Sequence, residues 1–273
     1  MPKKEISLRI PETLRKVKTI LGVFSAKGGV GKSEISLNLA LSLKSRGYSI
    51  GLLDADIYGP SQPLMLGASS DELEVKDKKL LSPLIKKGIK FNSMGLIAKE
   101  RTPVIWRGPM VSGAVMQLLS QTDWQELDFL IVDTPPGTGD VQLTLLQRMP
   151  LNAVIVVTTP QTVSVSDTRK GIEMIKKLDV PILGIIENMS FFQPENSNNK
   201  YFIFGKGGGE KLAKEYDLDL FTQIPLIEKE ESSLLYDKEN FKIIFDNLSE
   251  KVINKIKSLS KEMNQTIPQK TEK

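Results

Sequence analysis

Six short apolar runs, alternating with helical patterns, constrain this chain more than any other feature. They read as strands at 19–25, 48–54, 89–95, 128–133, 153–158 and 182–187. Helical patterns fall at 33–47, 110–121, 141–149, 165–178 and 208–216. The runs are nearly continuously apolar rather than alternating, so their strands are buried on both faces. That predicts an α/β fold, a doubly wound and mostly parallel sheet with helices on both faces. Ligands of such sheets sit at the carboxyl ends of the strands. The glycine-rich turns and strand-end acids of this chain fall there.

The first strand leads through "SAKGGVGKSE" (25–34) into a helix. The turn fits a phosphate-binding loop, with Ala26 where the usual motif begins on glycine. Backbone N–H groups of Gly28, Gly29, Val30 and Gly31 can curl around a phosphate, and the helix N-terminus adds positive potential. Lys32 is expected to reach the β and γ phosphates of a nucleotide, and the Ser33 hydroxyl to meet Mg²⁺. A plain strand–helix turn is the alternative. Two acids follow the second strand, Asp54 and Asp56, and Asp56 is favoured to orient the attacking water. Asp133 ends a buried strand and is expected to hold Mg²⁺ through water; the alternative there is a helix cap. Gly137 and Gly139, in the loop after it, offer amides to the terminal phosphate. Asn188 is a candidate for the adenine edge or a turn residue.

Cysteine and histidine are both absent. Disulfides, thiolate or imidazole metal sites and cysteine or histidine catalysis are therefore excluded. Chemistry must use carboxylates, lysines, hydroxyls, backbone amides and bound ions. No apolar run reaches the about 20 residues needed to span a bilayer, and the charged start lacks a secretory pattern. A cytoplasmic protein is expected, without membrane attachment. The net charge of +4 carries no basic stripe with interleaved aromatics, so no nucleic-acid partner is expected. An irregular lead-in is expected over 1–18, one P-loop ATPase domain over 19–262, and a polar tail over 263–273. Phe245, Leu248, Val252, Ile256 and Leu259 give the last helix an apolar face that packs on the domain or lies on a membrane.

The motifs "SAKGGVGKS", "LLDADIYGPSQP", "VIWRGP", "DTPPGTGDVQLTL", "ENMSFF" and "FGKGGGEKLA" occur in order. Over about residues 17–240 the chain resembles the Mrp family of ATP-binding iron–sulfur cluster carrier proteins, P-loop ATPases of deviant Walker A type. The resemblance implies ATP hydrolysis with Mg²⁺ and a homodimer in which Lys27 crosses to the phosphates of the facing subunit. It also implies a 4Fe–4S cluster passed to apoprotein clients, with iron–sulfur assembly proteins as partners. The segment before the P-loop is expected to be too short for the extra N-terminal domain of some members.

Two departures stand out. Pro194 and Ser197 occupy the positions of the family's C-x-x-C pair. Clusters are held mainly by thiolates, and this chain has none, so its own chemistry opposes direct ligation. Glu34 replaces the usual threonine beside the phosphates; it either turns to solvent or weakens nucleotide binding. The alternative to a carrier-type ATPase is a MinD/ParA-like nucleotide switch acting on a protein, membrane or DNA. A non-hydrolysing scaffold is the third reading.

Overall fold

The computed structural model describes residues 10–76, 80–97, 108–194, 197–226 and 234–266. Expectations for 1–9, for Trp106 and Arg107 of "WRGP", and for 267–273 lie outside them. In chain order the elements are β1 (Val17–Phe24), α1 (Lys32–Ser45), β2 (Ile50–Asp54), α2 (Gln62–Met65), β3 (Val75–Lys76), β4 (Leu80–Leu81), β5 (Leu84–Lys86), β6 (Ile89–Ser93) and α3 (Met94–Ile97). They continue through α4 (Gly108–Gln121), β7 (Leu127–Asp133), α5 (Asp140–Arg148), β8 (Ala153–Thr158), α6 (Thr162–Lys177), β9 (Ile182–Glu187), α7 (Gly208–Tyr216), β10 (Leu220–Gln223) and α8 (Glu239–Thr266).

Eight strands form one sheet in the order β10-β9-β8-β1-β7-β2-β6-β5. Every pair is parallel except β5 against β6. The chain starts at the centre, builds outward through β2 and β6, then inserts β7 between β1 and β2. Alternate residues of one strand serve opposite faces. On β7, Phe129 and Ile131 join the core under α1 and α8, while Leu130 and Val132 join the core under α4. A third cluster under α6 and α7 collects Val154, Val156 and Ile185. Both faces are thus covered, as the apolar runs predict.

The last helix packs on the domain. Phe245, Leu248 and Val252 are fully buried, and Ile256 and Leu259 rest against the same core. Each such burial stabilises docking by roughly 1.5–3 kcal/mol. Ser42 of α1 donates to Asp246 of α8 at 2.7 Å, and the Tyr236 hydroxyl donates to the same oxygen at 2.8 Å.

Several elements differ from the sequence expectation. β1 begins at Val17, inside the expected lead-in, because Lys18 faces solvent and pairs with Asp128. α8 runs through Thr266, four residues into the expected tail. β5 and β10 extend the sheet beyond the six runs; both are short edge strands without an apolar run, and of their residues only Phe221 is buried. Among the described residues no helix is long and apolar enough to cross a membrane.

Candidate nucleotide site

β1 delivers the chain to the centre of the sheet's carboxyl edge, where it must reverse into α1. Gly29 and Gly31 do this at φ +78° and +83°, a region costly for residues with a Cβ. Gly31 has a second reason: a Cβ there would lie 2.2 Å from Asn188 Nδ2. The resulting loop borders a cavity of about 490 Å³ that Gly28 to Ser33 line together with Lys27, Asp56 and Pro136. The start of α1 points its free N–H groups and positive dipole end at this space. The loop residues expected to cradle phosphate are therefore brought together.

Beneath the loop lies a buried charge cluster. Lys32 is 5% exposed and Asp133 0%, and the ammonium pairs directly with Asp133 Oδ1. Ser36, one turn further along α1, donates to the same oxygen at 3.1 Å. Gln62 Nε2 donates to Asp133 Oδ2 at 3.0 Å and to the Ser33 carbonyl at 2.8 Å. Asp54 stands beside Asp133 in the β2–β7 register. It accepts from Ser93 Oγ at 3.0 Å and from the N–H of Asp56 at 3.1 Å. Burial, followed by repulsion from Asp133, pushes the Asp54 carboxyl up to about 8 against the pull of Lys32. Asp56 is also raised, chiefly by burial, with Lys32 opposing. Its Oδ1 accepts from the N–H groups of Tyr58 and Gly59 at 3.2 and 3.3 Å, which closes a turn.

Three carboxyl groups thus gather around one buried lysine, and Asp54, raised to about 8, holds its proton at neutral pH. The donors are oxygens, as Mg²⁺ prefers. Among the described residues no group of three acids, histidines or cysteines is arranged to hold a metal alone. Mg²⁺ keeps several waters and takes ligands from phosphate.

Other expected residues take more specific places. Lys27 lines the cavity, and no hydrogen bond or ion pair holds its ammonium among the described residues. Glu34 lines the cavity too, rather than turning fully to solvent. Asn188 directs Nδ2 at the Val30 carbonyl, 2.9 Å away, so its donor secures the P-loop. Gly137, at φ +112°, gives its amide to the Ser25 carbonyl at 2.9 Å rather than to the cavity. Pro194 and Ser197 are hydrogen-bonded to the local backbone. The Ser197 N–H donates to the Pro194 carbonyl at 3.1 Å, and Ser197 Oγ accepts from Asn199 N at 3.1 Å.

Sequence reasoning missed Ser36, Gln62 and Ser93. Ser36 was within reach: it lies four residues after Lys32, hence on the same helical face. Gln62 and Ser93 join the site only through strand order, which no local pattern reveals.

The family described as NUBPL iron-transfer P-loop NTPase matches residues 16–263. The iron–sulfur cluster carrier protein of Methanocaldococcus jannaschii is 47% identical over 259 residues, 90% of this chain and 89% of that protein. That of Pseudomonas fragi is 48% identical over 214 residues, 78% of this chain and 75% of the relative. That of Escherichia coli K12 is 49% identical over 210 residues, 77% of this chain but only 57% of the relative's length. Among solved structures, a nucleotide-binding protein from Archaeoglobus fulgidus in complex with ADP superposes with a TM-score of 0.70 and 31% identity, over 88% of this chain and 90% of that one. The Pyrococcus furiosus cell division ATPase MinD shares the fold at a TM-score of 0.61 and 18% identity, over 87% and 99% of the two chains.

Proposed function

The chain belongs to the NUBPL iron-transfer P-loop NTPase family, and from that membership we propose that it hydrolyses ATP as a homodimer in the service of iron–sulfur cluster delivery, without ligating the cluster itself. The observation that carries this reading is the buried Lys32–Asp133 pair directly beneath the glycine cradle. The amides of Gly28 to Gly31 and the end of α1 bind the phosphates. Lys32 exchanges part of its contact with Asp133 for phosphate oxygens. Ser33 would hold Mg²⁺ by its hydroxyl, and Asp133 would support it through water. When bound, the ion neutralises charge on the phosphates. Asp56 orients the attacking water, and Lys27 crosses to the phosphates of the facing copy.

The chain offers no thiolate or imidazole, and Ser197 already serves its own turn. The donor set does not fit an iron–sulfur cluster. A cysteine-bearing partner or a small thiol supplies the ligands.

Phosphate release from ATP tests the reading. Turnover should require Mg²⁺ and vanish in Lys32→Ala. Lys27→Ala should abolish turnover while ADP binding persists. No Mg²⁺-dependent turnover in the wild-type chain would refute it and favour a scaffold. The lack of cluster donors also favours a second reading, a MinD/ParA-like switch. ATP-dependent cosedimentation with liposomes or DNA would support that switch; no cosedimentation would remove its membrane and DNA forms.

A further inference from the structure

Gln62 opens α2 and is completely buried. No part of the phosphate-loop chemistry above calls for a glutamine there. Its Nε2 ties the Ser33 carbonyl to Asp133 Oδ2, at 2.8 and 3.0 Å, and its backbone N–H reaches Asp54 Oδ2 at 3.3 Å. One residue on the loop after β2 therefore fastens the start of α1 to the end of β7. Its Oε1, by contrast, is buried and has no hydrogen-bond partner.

A buried acceptor left unmade is costly, and native structures rarely keep one. Turning the amide over does not repair it. The oxygen would then face the Ser33 carbonyl and a carboxylate, two acceptors, so the network fixes the orientation. What remains is a carbonyl dipole in need of a donor, on a side chain whose Nε2 is hydrogen-bonded to Asp133 Oδ2 and to the backbone carbonyl of Ser33, the residue whose hydroxyl is assigned to Mg²⁺. A water bound to that ion is a strong donor because the cation polarises its O–H bonds. Mg²⁺ also retains several of its waters.

We propose that Gln62 is a positioning residue of the metal site: its amide N–H groups hold Asp133 and the Ser33 backbone in place, and its Oε1 accepts from a water of the ion's shell. The inference rests on the reading that nucleotide and Mg²⁺ bind here.

The test is the affinity of a fluorescent ADP analogue for the full chain, titrated with Mg²⁺ and repeated in EDTA. Gln62→Met keeps the bulk and removes both donor and acceptor. The Mg²⁺ concentration giving half of the affinity gain should rise about 10-fold or more, the usual effect of losing an outer-shell partner. Affinity in EDTA should not change. An unchanged Mg²⁺ requirement overturns the inference alone. An equal loss with and without Mg²⁺ also overturns it, and assigns Gln62 a purely structural role. If the wild-type chain binds no nucleotide, the functional reading fails and the inference with it. Should Gln62→Met not fold, the wild-type chain still decides. With ADP saturating, the side-chain amide resonances of Gln62 should shift on addition of Mg²⁺, and unmoved resonances overturn the inference.

Discussion

Lys32→Met removes the ammonium that pairs with Asp133 in the buried carboxyl cluster while keeping most of the side chain's apolar stem. Lys32 is 5% exposed and its partner Asp133 0%, so solvent cannot replace the lost contact. Asp54 and Asp133 stand side by side in adjacent strands; Asp54, raised to about 8, holds its proton at neutral pH, so the charge that Lys32 offsets is that of Asp133. Removing one member of a buried pair costs about 3–5 kcal/mol. Ser36 and Gln62 still donate to Asp133, which places the expected loss near the lower end, about 3 kcal/mol. At about 2–4 °C per kcal/mol for a chain of this size, the melting temperature should fall by roughly 6–12 °C. Calorimetry of the nucleotide-free protein reads this directly, with urea unfolding as a second measure. Adding Asp133→Asn removes the stranded charge and should recover about half of the loss. The double-mutant cycle then reports a coupling well above the about 0.5 kcal/mol scatter of independent sites. A Lys32→Met protein as stable as wild type, with no coupling to Asp133, would refute the reasoning.

Gly31→Ala should cost about 1–2 kcal/mol of backbone strain, and its Cβ, 2.2 Å from Asn188 Nδ2, should also break the Asn188–Val30 bond. Gly29→Ala meets nothing within 4 Å and should lose only the strain, so equal melting temperatures for the two variants would contradict this. Asp128 is held below its ordinary pKa, first by the hydrogen bond from Lys18 and then by the Ser49 N–H. A depressed carboxyl stabilises the fold above its unfolded value near 3.8 and loses that contribution as pH falls through the folded value. The stability gap between wild type and Asp128→Asn should therefore be full at neutral pH, shrink as pH drops below about 4, and be small because the pair is largely exposed. A gap independent of pH in thermal melts would contradict this.

The strands were legible where burial on both faces wrote an apolar run. β8 and β9 match the expected 153–158 and 182–187 to the residue. β10, "LFTQ", was not legible, because an edge strand needs no apolar run on its outer side. The cradle was legible because glycine at positive φ is a local demand. Its supports were not. Gln62 reaches Asp133 only because β2 and β7 are neighbours, and Asn188 reaches Val30 across 158 positions of sequence. A lone asparagine reads as an adenine contact or a turn, and only the packed structure reveals that its donor secures the P-loop.

Anaerobic reconstitution with iron, sulfide and a removable thiol, followed by gel filtration with Mg²⁺ and ATP, bears most directly on the proposed role. Nucleotide should travel with the protein, and iron should not remain once the thiol is removed, because the chain has no cysteine or histidine to keep it. Iron retained at about one cluster per dimer would contradict this, because the oxygen donors of the chain would then be holding the cargo that thiolates normally hold.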